Sequence, residues 1–184
     1  MNRLGHLRAI QDDELGLMLS WRNAPAVRAN MYTRHEISEE EHRAWWSRTC
    51  QRADQLYFMY EHETQPLGIV GITAIDLVNS NCSWAFYASP EAPKGTGSRM
   101  EYLTLEYVFG ILKAQKIYCE VLAFNIPVIK LHQKFGFFVE GVFRQHHQVE
   151  GEFVDIHRLG LLDTEWANKR VEMKNRLTAT HKGA

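Results

Sequence analysis

Residues 94–99 read Lys-Gly-Thr-Gly-Ser-Arg and stand just before a long amphipathic run. Glycines at 95 and 97 take Cβ atoms out of the path of an approaching ligand. A helix opening at Ser98 leaves the amides of residues 95 to 99 without intrahelical partners. Such amides, at the positive end of a helix dipole, suit a phosphate, and Lys94 and Arg99 add charge beside them. A Gly-x-Gly before a helix is also what a plain flexible turn looks like, so taken alone the stretch leaves both readings open. Two other clusters invite chemistry and do not hold up. His146 and His147 point to opposite sides of a strand, with no carboxylate or cysteine nearby to complete a metal set. The acidic triple Glu39–Glu41 fits a polyamine site, but a helix N-terminus explains it more simply.

The elements that must position these groups follow from the pattern. A short strand near His6–Ile10 precedes a helix over residues 11–23, and Pro25 opens a second short helix. Ser38 with Glu41 forms a capping box for a third helix. Three strand runs follow, at 55–62, 66–78 and 82–89, joined by turn-like Glu-Thr-Gln-Pro and Asn-Ser-Asn. A helix from about Ser98 to Lys113, a strand at 116–124, a helix ended by Gly136, two strands around Gly151 and a charged helix from Asp163 complete the chain. The fold class is α+β: a mostly antiparallel, twisted sheet of about seven strands with helices on both faces.

The totals set the limits. With 184 residues, 45% hydrophobic and 23% charged, the chain fits one soluble domain with a real core. We expect that domain to span residues 1–184, its core about 6–166, with a helical tail over 167–184. Against 22 acidic residues stand 21 basic ones, a net charge of −1. That balance predicts neither nucleic acid nor a membrane surface as partner. Cys50, Cys82 and Cys119 are odd in number and lack metal spacing, which points to a reducing, cytoplasmic setting. No signal-like or membrane-spanning run is present in the sequence.

Two motifs in order carry a resemblance. Gly95 and Gly97 fill the small positions of a Gln/Arg-x-x-Gly-x-Gly/Ala loop, with Ala92 where the Gln or Arg belongs. Downstream, Asn125, Val128, His132, Gly136 and Phe137 follow an Asn-x-x-Ala-x-x-x-Tyr-x-x-x-Gly-Phe pattern. The chain therefore resembles the GNAT superfamily of N-acetyltransferases. The resemblance implies acetyl-CoA as cosubstrate and no metal. The pyrophosphate would lie on Lys94, Gly95, Thr96, Gly97, Ser98 and Arg99. The pantetheine arm would lie between strands 82–89 and 116–124, against Tyr87, Ala88 and Asn125, although Asn125 is also an ordinary helix cap. His132 replaces the usual tyrosine as proton donor to the CoA thiolate; its other reading is a polar residue on a helix face. Its ordinary pKa of about 6.5, against about 10 for tyrosine, predicts an acid that fails at lower pH.

Trp-Arg-Asn at 21–23, Met31, the run 39–46 with His42, the runs 68–76 and 84–87, and Glu-Tyr-Val-Phe at 106–109 with Glu-Gly-Val-Phe-Arg at 140–144 carry a second pattern. With that set the chain resembles more narrowly the GNAT enzymes that acetylate the 4-amino group of a UDP-linked sugar in pseudaminic acid biosynthesis. That resemblance spans about residues 6–166. A nucleotide-sugar acceptor would then meet Arg22, His42, Trp46, Thr73 and Tyr87, with Trp45 as a core anchor. A homodimer is compatible with this reading. The alternatives are a protein N-terminus or a polyamine as acceptor, or a module that binds acyl-CoA without turnover.

Overall fold

The protein is described here by a computed structural model over residues 3–179. Runs of aromatic and β-branched residues form β2 (Leu56–His62), β3 (Gln65–Asp76) and β4 (Asn81–Ala88), an antiparallel meander. β1 (His6–Ala9) adds to the outside of β2. β5 (Lys116–Leu122) lies parallel to β4, so the chain between them must cross over, and α4 (Thr96–Gly110) makes that crossing. After α5 (Ile126–Phe135) come β6 (Phe138–Val149) and β7 (Glu152–Leu162), and β7 inserts between β5 and β6. The sheet order is β1-β2-β3-β4-β5-β7-β6. The α+β fold with a seven-stranded, mostly antiparallel sheet is as the sequence implies.

The helices divide between the two faces. Against one face lie α4, α5 and α6 (Asp163–Thr178), around Met100, Leu105, Val108, Ile129, Phe135 and Trp166. Against the other lie α1 (Leu15–Asn23), α2 (Pro25–Arg28) and α3 (Glu39–Thr49), where Met18, Trp21, Met59 and Ile69 form a smaller cluster. Trp166 and Met173 of α6 are buried, and Trp166 Nε1 donates to Glu106 of α4 at 3.0 Å. Of the expected tail, residues 180–184 lie outside the described residues.

Three local details correct the sequence reading. α4 begins at Thr96, two residues before Ser98, because Gly95 adopts φ +92° and turns the chain into the helix there. At α3 only half of the capping box forms: the Glu41 amide donates to Ser38 Oγ at 3.1 Å, while the Glu41 carboxylate turns to His35 Nε2 at 3.0 Å. Residues 12–14 form a 3-10 turn before α1, with the Gln11 amide donating to Glu14 at 2.8 Å.

The feature that makes the site is a parting of strands. β4 and β5 pair only at Asn81–Ser83 with Lys116–Tyr118. Beyond that, β3 holds β4 as far as Ala88 and β7 holds β5 as far as Leu122. The two inner edges diverge and leave a gap lined by unpaired backbone.

Candidate active site

The gap is the first of two adjoining cavities. About 290 Å³ in volume, it runs between Trp84–Ala88 of β4 and Cys119–Leu122 of β5 and is closed at one end by Asn125 and His132. Inner-edge peptide groups in such a gap can pair with an extended amide-bearing arm as a neighbouring strand would. Asn125 is the N-cap residue of α5, yet its side chain makes no capping bond, so its amide is left to the groove. The ordinary cap reading is thereby set aside.

At the outer end of this groove stands the glycine loop. The Thr96 amide donates to Pro93 O and the Arg99 amide to Gly95 O, each at 3.1 Å. The free donors are therefore the amides of Gly95, Gly97 and Ser98, three of the five expected. Lys94 is exposed and unpaired beside them. Arg99 is directed at the Tyr60 hydroxyl on β2, with Nη1 buried and unpartnered. Ala92 packs against the core. A Cβ on Gly97 would meet Phe86 at 3.3 Å and Leu131 at 3.5 Å, so glycine here brings α4 close to the groove wall.

His132 is not a face residue. It is 2% exposed, ringed by Trp84, Phe86 and Phe137, and its Nδ1 donates to Glu101 Oε1 at 2.9 Å. Burial opposes charge on the imidazole, but the Glu101 carboxylate and the adjacent Cys119 outweigh it, and the pKa is pushed up to about 10. The pairing with Glu101 thus moves His132 away from the ordinary histidine value on which the expected low-pH failure relative to tyrosine rested. Sequence reasoning missed Glu101, although a signal existed. Glu101 shares the buried stripe of α4 with Leu105 and Val108, a carboxylate at an apolar position.

The second cavity, about 370 Å³, lies against the opposite face of β3 and β4. Arg22, His42, Thr73 and Tyr87 line it together, as does Trp45. Trp46 does not; both tryptophans pack on the small core cluster, as expected of Trp45, but it is Trp45 rather than Trp46 that also reaches the cavity. Helical geometry explains why. Trp45 follows His42 by three residues and shares its face, with ring centroids 5.3 Å apart. Arg48, Tyr57, Thr33 and Ile37 complete the wall and were not singled out from sequence.

Arg22 Nη2 donates to Thr33 O at 3.0 Å, while Nη1 is buried without a partner. Burial lowers the Arg22 pKa from its ordinary value, and the Tyr87 phenol is pushed up by burial against the pull of Arg22. His42 is held below its usual value by burial and by Arg43 and Arg22, which keeps the ring neutral near pH 7. The segment after α2 forms the shared rim, pinned by Asn23 through bonds of 2.8 and 2.9 Å to the Ile37 backbone. Met31, Ala85, Phe86 and Tyr87 line both cavities, so a group in one meets a group in the other there.

Comparison with known proteins decides what such a pair of cavities belongs to. Residues 5–138 match the family described as "Acetyltransferase (GNAT) domain". The chain belongs to the GNAT acetyltransferases. It is an N-acyltransferase, and acetyl-CoA is its cosubstrate. Acetyltransferase PseH of Campylobacter jejuni is 28% identical over 134 residues, 73% of this chain and 83% of PseH. Spermidine N(1)-acetyltransferase of Vibrio cholerae is 22% identical over 171 residues, 92% of this chain and 99% of that enzyme. The structure of the Vibrio cholerae spermidine N-acetyltransferase in complex with CoA and spermine superposes with a TM-score of 0.84. At 22% identity, over 91% of this chain and 100% of the other, that is a likeness of fold.

In this GNAT acetyltransferase the residues fit the cosubstrate. Three free amides at a helix start could take a pyrophosphate, and the parted strands could take the pantetheine arm. Among the described residues no group of three or more His, Cys, Asp or Glu is placed to hold a metal ion. No helix among them is long and apolar enough to cross a membrane.

Proposed function

We propose that this enzyme acetylates the amine of a nucleotide-linked amino sugar, with a UDP-linked 4-amino-dideoxy sugar of pseudaminic acid biosynthesis as the acceptor. The observation that carries this reading is the charge and shape of the second cavity. Its wall presents two guanidinium groups, Arg22 and Arg48, and a single carboxylate, Glu41, already bonded to His35. The unpartnered Nη1 of Arg22 asks for an anionic oxygen. Trp45, Tyr57 and Tyr87 offer flat walls for a base or sugar. A polycation such as spermidine requires the reverse, carboxylates without competing arginines. The match to acetyltransferase PseH is in keeping with the sugar-amine reading drawn from the sequence, and the name of the spermidine acetyltransferase relative supports the polyamine alternative.

The chemistry needs a neutral amine at the thioester carbonyl, donors for the oxyanion and a proton for the departing thiolate. The acceptor enters at the shared rim of Met31 and Ala85–Tyr87, where a β4 amide can face the oxyanion. His132 supplies the proton from the groove side. Steady-state kinetics on a UDP-4-amino sugar, a UDP sugar without the amine, and spermidine tests the reading. We expect turnover of the amino sugar alone; a kcat/KM for spermidine above that of the sugar would replace it with the polyamine reading.

A further inference from the structure

We infer that Glu101 is a positioning residue of acetyl transfer, one that fixes the tautomer and the charge with which His132 meets the groove. The inference rests on the acyl-transfer reading above and extends it to a residue outside both cavities.

The geometry is that of a buried pair. Glu101 is 0% exposed in the second turn of α4, and His132 lies across from it on α5 at 2.9 Å. With Nδ1 committed to Glu101, Nε2 is the nitrogen that exchanges protons with the groove. Around the ring stand Trp84 and Phe86 of β4, Phe137 beyond α5, and Cys119 of β5 in hydrogen-bonding contact. Lys134 on α5 acts on Glu101 from further off. Burial in this aromatic cage strips water from the imidazolium, so a histidine held this way would lose its charge unless a counterion faced it. Glu101 is that counterion. Its other oxygen, Oε2, is buried without a partner, so no second donor draws basicity from the Oε1 bond to His132. The same helix begins with the free amides of the glycine loop, and thus α4 ties the phosphate cradle to the acid.

A consequence follows for pH. The raised pKa keeps the acid form of His132 up to about pH 10, losing it as pH rises through that value. An amine acceptor is increasingly neutral over the upper part of the same range. Acid and nucleophile are therefore present together, whereas an unpaired histidine of pKa about 6.5 would be spent before most amines lose their proton.

The test uses the full chain and the conservative variant Glu101→Gln, which keeps a hydrogen-bond acceptor and removes the charge. We would measure kcat from pH 5.5 to 10.5, acetyl-CoA affinity by calorimetry, and the His132 ring by 15N NMR titration. In the parent protein the ring should titrate near pH 10. In Glu101→Gln it should titrate at or below about 6.5, so that kcat at pH 8 falls at least about 30-fold and recovers as pH falls toward 6. Acetyl-CoA affinity should stay unchanged. Should Glu101→Gln fail to fold, Glu101→Asp, which retains the charge at greater reach, should keep the alkaline limb at reduced kcat. A variant that turns over with its pH limb and ring titration unmoved overturns the role of Glu101 and leaves the acetyltransferase reading intact. A parent protein that binds acetyl-CoA but acetylates no amine overturns that reading, and the role with it.

Discussion

The α4–α5 side of the sheet and the α1–α3 side build their cavities from different materials. On the first side the ligand would meet backbone: three free amides at a helix start and the inner edges of two parted strands. Peptide groups are alike in every residue, so this side is set by chain direction and by the room that Gly95 and Gly97 leave. On the second side the wall is made of side chains from α1, α3, the 29–37 segment, β2, β3 and β4. Arg22, Thr33, His42 and Arg48 among them lie outside the two hydrophobic clusters, whereas Ile69 belongs to the core and Gly71 has no room for a side chain. On the proposed reading the acyl donor would be fixed mainly by fold and the acceptor by side chains, with His132 the reacting side chain of the backbone-built side.

That side chain provides the largest test. His132→Ala should lower kcat by about 10²–10⁴-fold, the usual contribution of a general acid, with little change in acetyl-CoA affinity. His132→Tyr alone should restore little, because a phenol would enter an aromatic cage beside a buried carboxylate. Adding Glu101→Gln should improve it. Arg22→Ala comes next. Loss of a charge-assisted contact worth about 1.5–3 kcal/mol should raise KM for the UDP-amino sugar roughly ten- to a hundredfold, leaving acetyl-CoA affinity unmoved. If cofactor affinity falls instead, the division into two sides is wrong.

Gly97→Val should weaken CoA binding by about 1–3 kcal/mol, since the added methyls press on Phe86 and Leu131 at the groove wall. Calorimetry reads the effect, and a melting curve confirms that the variant is folded. The smallest effect separates the tryptophans. Both Trp45→Ala and Trp46→Ala should lower thermal stability, but only Trp45→Ala should also raise the acceptor KM, a few-fold.

The sequence was most informative where structure is local. The strands and the helix from Asn125 to its stop at Gly136 depend on neighbours within a dozen residues, and they stand close to where the pattern placed them. What it could not supply were pairings across elements. Glu101 and His132 are 31 positions apart and meet only because α4 and α5 pack on one sheet face. Which of two adjacent tryptophans faces a cavity depends on the rotation of α3, and that is set by its docking on Tyr57 and the core cluster. The early start of α4 turns on one backbone angle at Gly95.

The most direct measurement of the central claim is calorimetric titration of UDP into the protein, with and without saturating acetyl-CoA and repeated on Arg22→Ala. A nucleotide site on the α1–α3 side predicts one UDP per chain, bound whether or not acetyl-CoA is present and weakened by Arg22→Ala. UDP that competes with acetyl-CoA, or fails to bind where spermidine does, would contradict it.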